Sequence, residues 1–190
     1  MVKIGFIVEG ASEKKVLDSA AFRIFLEKEK IAFVGEVIDA KGGGQLLPRN
    51  RERHVLRLKG KGATHIIILS DKENDPCFTS VKKRIAPQHS ETVLISAKAL
   101  EAWFLADSKT LTRIFRRPFN YPSPENTIVN PFDIIKDEFS KRNKDFDTKT
   151  ILADRMIRNG FTIQNAAAHK NCPSAKYFLE KLKSIAGIIN

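Results

Sequence analysis

The chain has 190 residues, with 33 Lys and Arg against 22 Asp and Glu, giving a formal net charge of +11 and a pI near 9.7. That length supports one well-buried core, and apolar and charged fractions of 42% and 29% are those of a globular protein. Membrane-spanning, secreted-scaffold and zinc-ribbon classes are excluded. No apolar run nears the roughly 20 residues of a membrane helix, the opening apolar stretch is too short for a secretory signal, and the two cysteines, Cys77 and Cys172, lie far apart in sequence. Free thiols imply a reducing compartment, so the expected location is cytoplasmic.

Val2 to Val8 is a continuous apolar run, the pattern of a strand buried on both faces. Gly10 follows, with Ser12 placed as an N-cap. Val16, Leu17, Ala20, Ala21, Ile24 and Phe25 then have helical spacing. Ile31 to Ile38 reads as a second strand, Gly42 to Gly44 as a flexible turn, and Gln45 to Leu58 as a basic helix interrupted at Pro48. Thr64 to Leu69 is the strongest strand. The loop Ser70 to Pro76 leads to a helix through Lys83, then a strand at Glu91 to Ile95 and a helix opening at Ala99.

This alternation predicts an α/β fold, a three-layer Rossmann-like, mainly parallel sheet with right-handed crossovers. From Pro118 the texture changes to a proline-punctuated loop followed by helical segments at Phe132 to Phe139, Thr148 to Arg158 and Ser174 to Ile185. The expected organisation is an α/β core over 1–117, with a helical C-terminal part over 118–190 packed on it.

Ligands of open parallel sheets bind outside the carboxyl ends of the strands. Glu9 ends the first strand; Asp71, Glu73 and Asp75 follow the strongest one; Glu101 follows the last. Carboxylates gathered at one edge repel each other unless a cation neutralises them, and hard oxygen donors suit Mg²⁺ or Mn²⁺. The plainer readings are a helix cap or lysine partner for Glu9, a polar turn for Asp71 to Asp75, helix initiation at Asp75-Pro76, and a helix-dipole partner for Glu101.

The basic residues cluster, which favours a polyanionic partner. Arg49, Arg51, Arg53, Arg57, Lys59 and Lys61 fall in one region; Lys82 to Arg84 and Arg113, Arg116 and Arg117 form two others. Lys41, Arg49, Arg51, Arg53, Arg57 and Lys98 are the candidate nucleic-acid contacts. Gly42 to Gly44 lacks the Lys-Ser/Thr step of a phosphate loop. None of the four histidines has a nucleophile partner at a recognisable spacing, so triad hydrolases have little support. Trp103 reads as core. Phe119 and Tyr121 could stack on bases, with packing the plainer reading.

Ile7-Val8-Glu9-Gly10-Ala11-Ser12-Glu13, followed by Leu69-Ser70-Asp71-Lys72-Glu73-Asn74-Asp75, resembles the TOPRIM domain of topoisomerases, primases and related nucleases. Leu100-Glu101-Ala102-Trp103-Phe104-Leu105-Ala106-Asp107 is similar to the E-A-W-L-L-A-D signature of a TOPRIM-like prokaryotic family related to overcoming-lysogenization-defect nucleases. Asn171 to Leu179 resembles that family's closing motif, so the likeness spans nearly the whole chain.

The resemblance implies that Glu9, Asp71 and Glu73 are catalytic. It assigns the metal to Glu9, Glu13, Asp71, Glu73 and Glu101, and Asp75 joins that set from its place in the loop after the strongest strand. It also implies Mg²⁺ or Mn²⁺ as cofactor, nucleic acid (DNA ahead of RNA) as substrate, and an ATPase encoded nearby as partner, in anti-phage defence or genome maintenance. Glu73 departs from the family's second aspartate, which puts activity at that position in question. Two rivals stand beside the nuclease: a catalytically weak module binding nucleic acid or the ATPase, and a phosphatase with Asp71 as nucleophile. Asp71-Lys72-Glu73 lacks the D-x-D-x-T/V pattern of that phosphatase class. No tyrosine falls near the motifs to serve as a topoisomerase nucleophile.

Overall fold

A computed structural model describes residues 2–187. Four strands, β1 (Lys3–Val8), β2 (Ala32–Asp39), β3 (His65–Asp71) and β4 (Glu91–Ser96), form one all-parallel sheet in the order β2-β1-β3-β4. The fold is the α/β, Rossmann-like arrangement expected from the alternation. Between β1 and β2 lie α1 (Ala11–Asp18) and α2 (Ala20–Lys28). Ser19 separates them: its hydroxyl accepts from the Phe22 amide at 3.3 Å and caps α2. Ser12 lies inside α1 rather than capping it, because Gly10 holds the N-cap position.

A 3₁₀ turn at Gly43–Leu46 and then α3 (Pro48–Gly60) follow β2. Pro48 opens α3 instead of breaking it, since its missing N–H costs nothing in a first turn. Next come α4 (Phe78–Ile85), α5 (Glu101–Ala106), α6 (Ser108–Phe115), α7 (Pro131–Ser140), α8 (Lys149–Arg158), α9 (Ile163–Ala167) and α10 (Pro173–Ile185). The sequence pattern missed α6 and the short α9.

Alternate side chains of the strands feed two cores. Ile7, Ile38, Ile66, Ile68, Val93 and Ile95 pack under α3 and α4. Phe6, Val8, Ile67, Leu69 and Leu94 join Trp103, Phe139, Met156 and Phe178 on the other face. Helices from both sides of position 118 thus share one buried cluster with the sheet. Gly35, at φ +79°, accommodates the register shift between β1 and β2, a conformation that side-chain-bearing residues resist.

Arg51 corrects the list of nucleic-acid contacts. It is 1% exposed and spans the layer between α3 and β4. Its guanidinium donates to the carbonyls of Leu46 (2.9 Å), Ile85 (2.6 Å) and Ala86 (2.9 Å), and pairs with Glu91 at 2.6 Å. Arg57 is exposed and forms a surface pair with Glu36 of β2 towards the far end of α3. Arg49 and Arg53 remain exposed.

Removing one partner of a buried ion pair strands the other's charge. Arg51→Ala should therefore cost about 3–5 kcal/mol in urea unfolding, and Arg51→Met with Glu91→Leu should recover most of it.

Candidate metal centre

The strand order reverses between β1 and β3, and the crevice at that switch point lies at the strands' carboxyl ends. Glu9 follows β1 there. Its Oε2 accepts from the Ser70 hydroxyl at 2.7 Å and the Asp71 amide at 3.2 Å. Gly43 backs onto it: a Cβ at that position would lie 2.9 Å from Glu9 Oε1, so a side chain there would make the carboxylate shift.

Asp71 is the last residue of β3, not part of the following loop, and it is 6% exposed. Its Oδ1 accepts from the Ser96 hydroxyl and from the Leu100 amide, the latter at 3.0 Å. Burial pushes its carboxyl well above the usual range, and the charges of Glu13, Glu101 and Glu9 push the same way against the Ser96 hydrogen bond. Glu13, buried on α1, is raised to about 7, mainly by burial, with added repulsion from Glu101 and Glu9.

Glu101 opens α5 and is 1% exposed. Its Oε2 accepts from Lys149 at 3.2 Å, and its Oε1 is buried without a partner among the described residues.

Sequence reasoning did not find Lys149. It is the first residue of α8, just after the Thr148 cap, and α8 is tied to α1 by the 2.8 Å Lys15–Asp154 pair. Burial opposes its charge, but Glu101, Asp71 and Glu13 outweigh that and hold its pKa above the ordinary lysine value. A cation at a helix start runs against the helix dipole, and that local inconsistency was the available signal.

Glu73 and Asp75 stand apart from this group. Glu73 is exposed, at φ +46°, with its amide bonded to the Lys98 carbonyl at 2.7 Å. Asp75 is paired with Arg84 at 3.0 Å. A cleft of about 470 Å³ brings Glu9, Glu13, Asp71, Glu73, Lys41 and Lys149 to one opening. Lys98 lines an adjoining cleft with Glu73 and Lys149.

Among the described residues, no three His, Cys, Asp or Glu side chains converge on a common point as a preformed metal cage. The hydrogen bonds explain this: Glu9 and Asp71 each commit one oxygen to the backbone, and Lys149 neutralises Glu101. The chemistry of the donors, though not their present arrangement, suits a hard divalent cation. The set is all carboxylate oxygen, it is short of positive charge, and it contains an orphaned buried oxygen on Glu101. Further motif residues prove structural. Asp107 accepts from the Thr110 amide at 3.0 Å and caps α6, while Trp103 Nε1 donates to Ser174 Oγ at 2.7 Å.

The raised pKa of Glu13 sets a pH dependence. The unfolded chain ionises this group near 4.5 and the folded chain near 7. Stability is therefore full below pH 4.5 and falls as pH rises through 7, by about 3 kcal/mol. Urea titrations across that window should show the fall in metal-free wild type and a clearly smaller fall in Glu13→Gln, where Asp71, also raised by burial, keeps the remainder.

No protein-family model, curated protein or solved structure matches this chain.

Proposed function

We propose that the protein is a TOPRIM-like, divalent-metal-dependent hydrolase of nucleic-acid phosphodiesters. The observation that carries this reading is the group of half-buried Glu9 and buried Glu13, Asp71 and Glu101 at the sheet's switch point, with a Glu101 oxygen unpartnered among the described residues of a chain of net charge +11. Glu9, Asp71, Glu13 and Glu101 would hold the cation, with Glu73 at the rim. The bound ion would supply charge neutralisation for a phosphate and acidify a nearby water.

The chain's own groups do the rest. Without a metal Glu13 keeps its proton up to about pH 7, so a cation it joined would displace that proton on binding. The Lys149 ammonium balances the carboxylates and offers a second positive charge in the same cleft. Lys41, Lys98, Arg49 and Arg53 supply backbone contacts, which give affinity with little sequence specificity. An ATPase partner belongs to the same proposal.

A second reading, a catalytically weak binding module, is favoured by one observation: Lys149 already occupies the cation's place beside Glu101. Plasmid and linear DNA incubated with the purified protein in Mg²⁺, Mn²⁺ or EDTA separate the two. The nuclease reading predicts metal-dependent cutting that falls about 10²- to 10⁴-fold in Glu9→Gln and Asp71→Asn. Cutting that needs a neighbour-encoded ATPase, or binding without cutting, favours the module. Under either reading DNA affinity should fall steeply with salt, and a flat response removes the basic residues from the account.

A further inference from the structure

β4 is one of the two outer strands of the sheet, and its two edges are not equivalent. The Ser90 and Ser96 carbonyls accept from the amides of Ile66 (2.8 Å) and Lys72 (2.9 Å), so even-numbered residues of β4 turn their backbone groups to β3. Odd-numbered residues turn theirs outward. Glu91 closes one end of this edge, its amide donating to the Gln88 carbonyl at 2.9 Å. The Ala97 amide closes the other, donating to Ser174 Oγ at 3.2 Å.

Between them, the outward amide and carbonyl groups of Val93 and Ile95 have no partner among the described residues. Both residues are nearly buried, at 3% and 7% exposure. Backbone groups buried without a hydrogen bond are rare and costly. These two line a cavity of about 310 Å³ between α4 and α10. Phe78 and Tyr177, 43% and 47% exposed, stand at its walls. Lys82 lines it with Nζ 6.0 Å from the Tyr177 ring centroid, and Lys181 follows Tyr177 by one helical turn.

We infer that this groove receives an extended peptide segment of a partner protein, apolar with acidic residues, added as a fifth strand along β4. An incoming backbone supplies what Val93 and Ile95 lack, and the aromatic walls take its alternate side chains. Lys82, with Lys181 one turn beyond Tyr177, favours acidic residues flanking the segment, while the Glu125 carboxylate that also lines the groove is engaged by the Ser174 amide and hydroxyl. A second copy of this chain is a poor occupant: each copy carries +11, and the edge is recessed between residues of two helices, α4 and α10. The groove shares no lining residue with the carboxylate cleft, so the inference stands independently of the hydrolase reading.

Amide hydrogen exchange by NMR tests it first in the free protein. Val93 and Ile95 should exchange at least about tenfold faster than Thr92 and Leu94; equal protection means the edge is already closed and overturns the inference. The acetylated, amidated peptide Asp-Val-Thr-Val-Asp is then titrated to ~1 mM, the weak end of specific binding. Saturable shifts and new protection at Val93 and Ile95 are expected, with roughly tenfold weaker binding in Lys82→Glu and none by the peptide N-methylated at its central three residues. No binding, binding that survives N-methylation, or protection arising from dimerisation in sedimentation would each overturn it.

Discussion

Four carboxylates, Glu9, Glu13, Asp71 and Glu101, share the carboxyl edge of the sheet with one half-exposed ammonium, Lys149. Everything near the site answers that imbalance. Ser70, Ser96 and the amides of Asp71 and Leu100 spend their donors on Glu9 and Asp71. Glu13 escapes by holding its proton up to about pH 7. Glu101 takes the lysine and still leaves one oxygen without a partner among the described residues. Taking a carboxylate out of water costs several kcal/mol unless charge or hydrogen bonds compensate. An edge built this way spends stability on a site.

The scaffold holds the edge by separate means. On one face Arg51 crosslinks α3, the end of α4 and β4 through four partners, and Glu91 neutralises it. On the other, Trp103 of α5 hydrogen-bonds Ser174 of α10, and Ser174 also donates to buried Glu125. The segments after β4 and before α10 are far apart in sequence and are locked together here. Lys149 reaches the carboxylates only because α8 is fixed against α1.

The fold class was legible because buried parallel strands read as unbroken apolar runs: Ile66-Ile67-Ile68-Leu69 cannot easily be anything else. Glu9, Asp71 and Glu101 were legible as strand-end positions. Arg51 was not, because a buried arginine and an exposed one have the same letter, and its neighbours Arg49 and Arg53 are exposed. Lys149 was missed because its partners lie 48 and more residues away. Asp75 looked like a ligand in sequence, but Arg84, one helix further on, pairs with it. Spacing reveals which face a residue can share; it does not reveal which cation arrives there from a distant helix.

Mn²⁺ titration followed by electron paramagnetic resonance at pH 7.5 tests the charge imbalance most directly, because it reads the ion without requiring catalysis. Wild-type protein should bind Mn²⁺ saturably. Asp71→Asn and Glu101→Gln should each weaken binding by at least about tenfold, while Asp75→Asn, at the carboxylate already paired with Arg84, should bind nearly as wild type. Absence of saturable binding, or equal affinity in all four proteins, would contradict a metal centre at this edge.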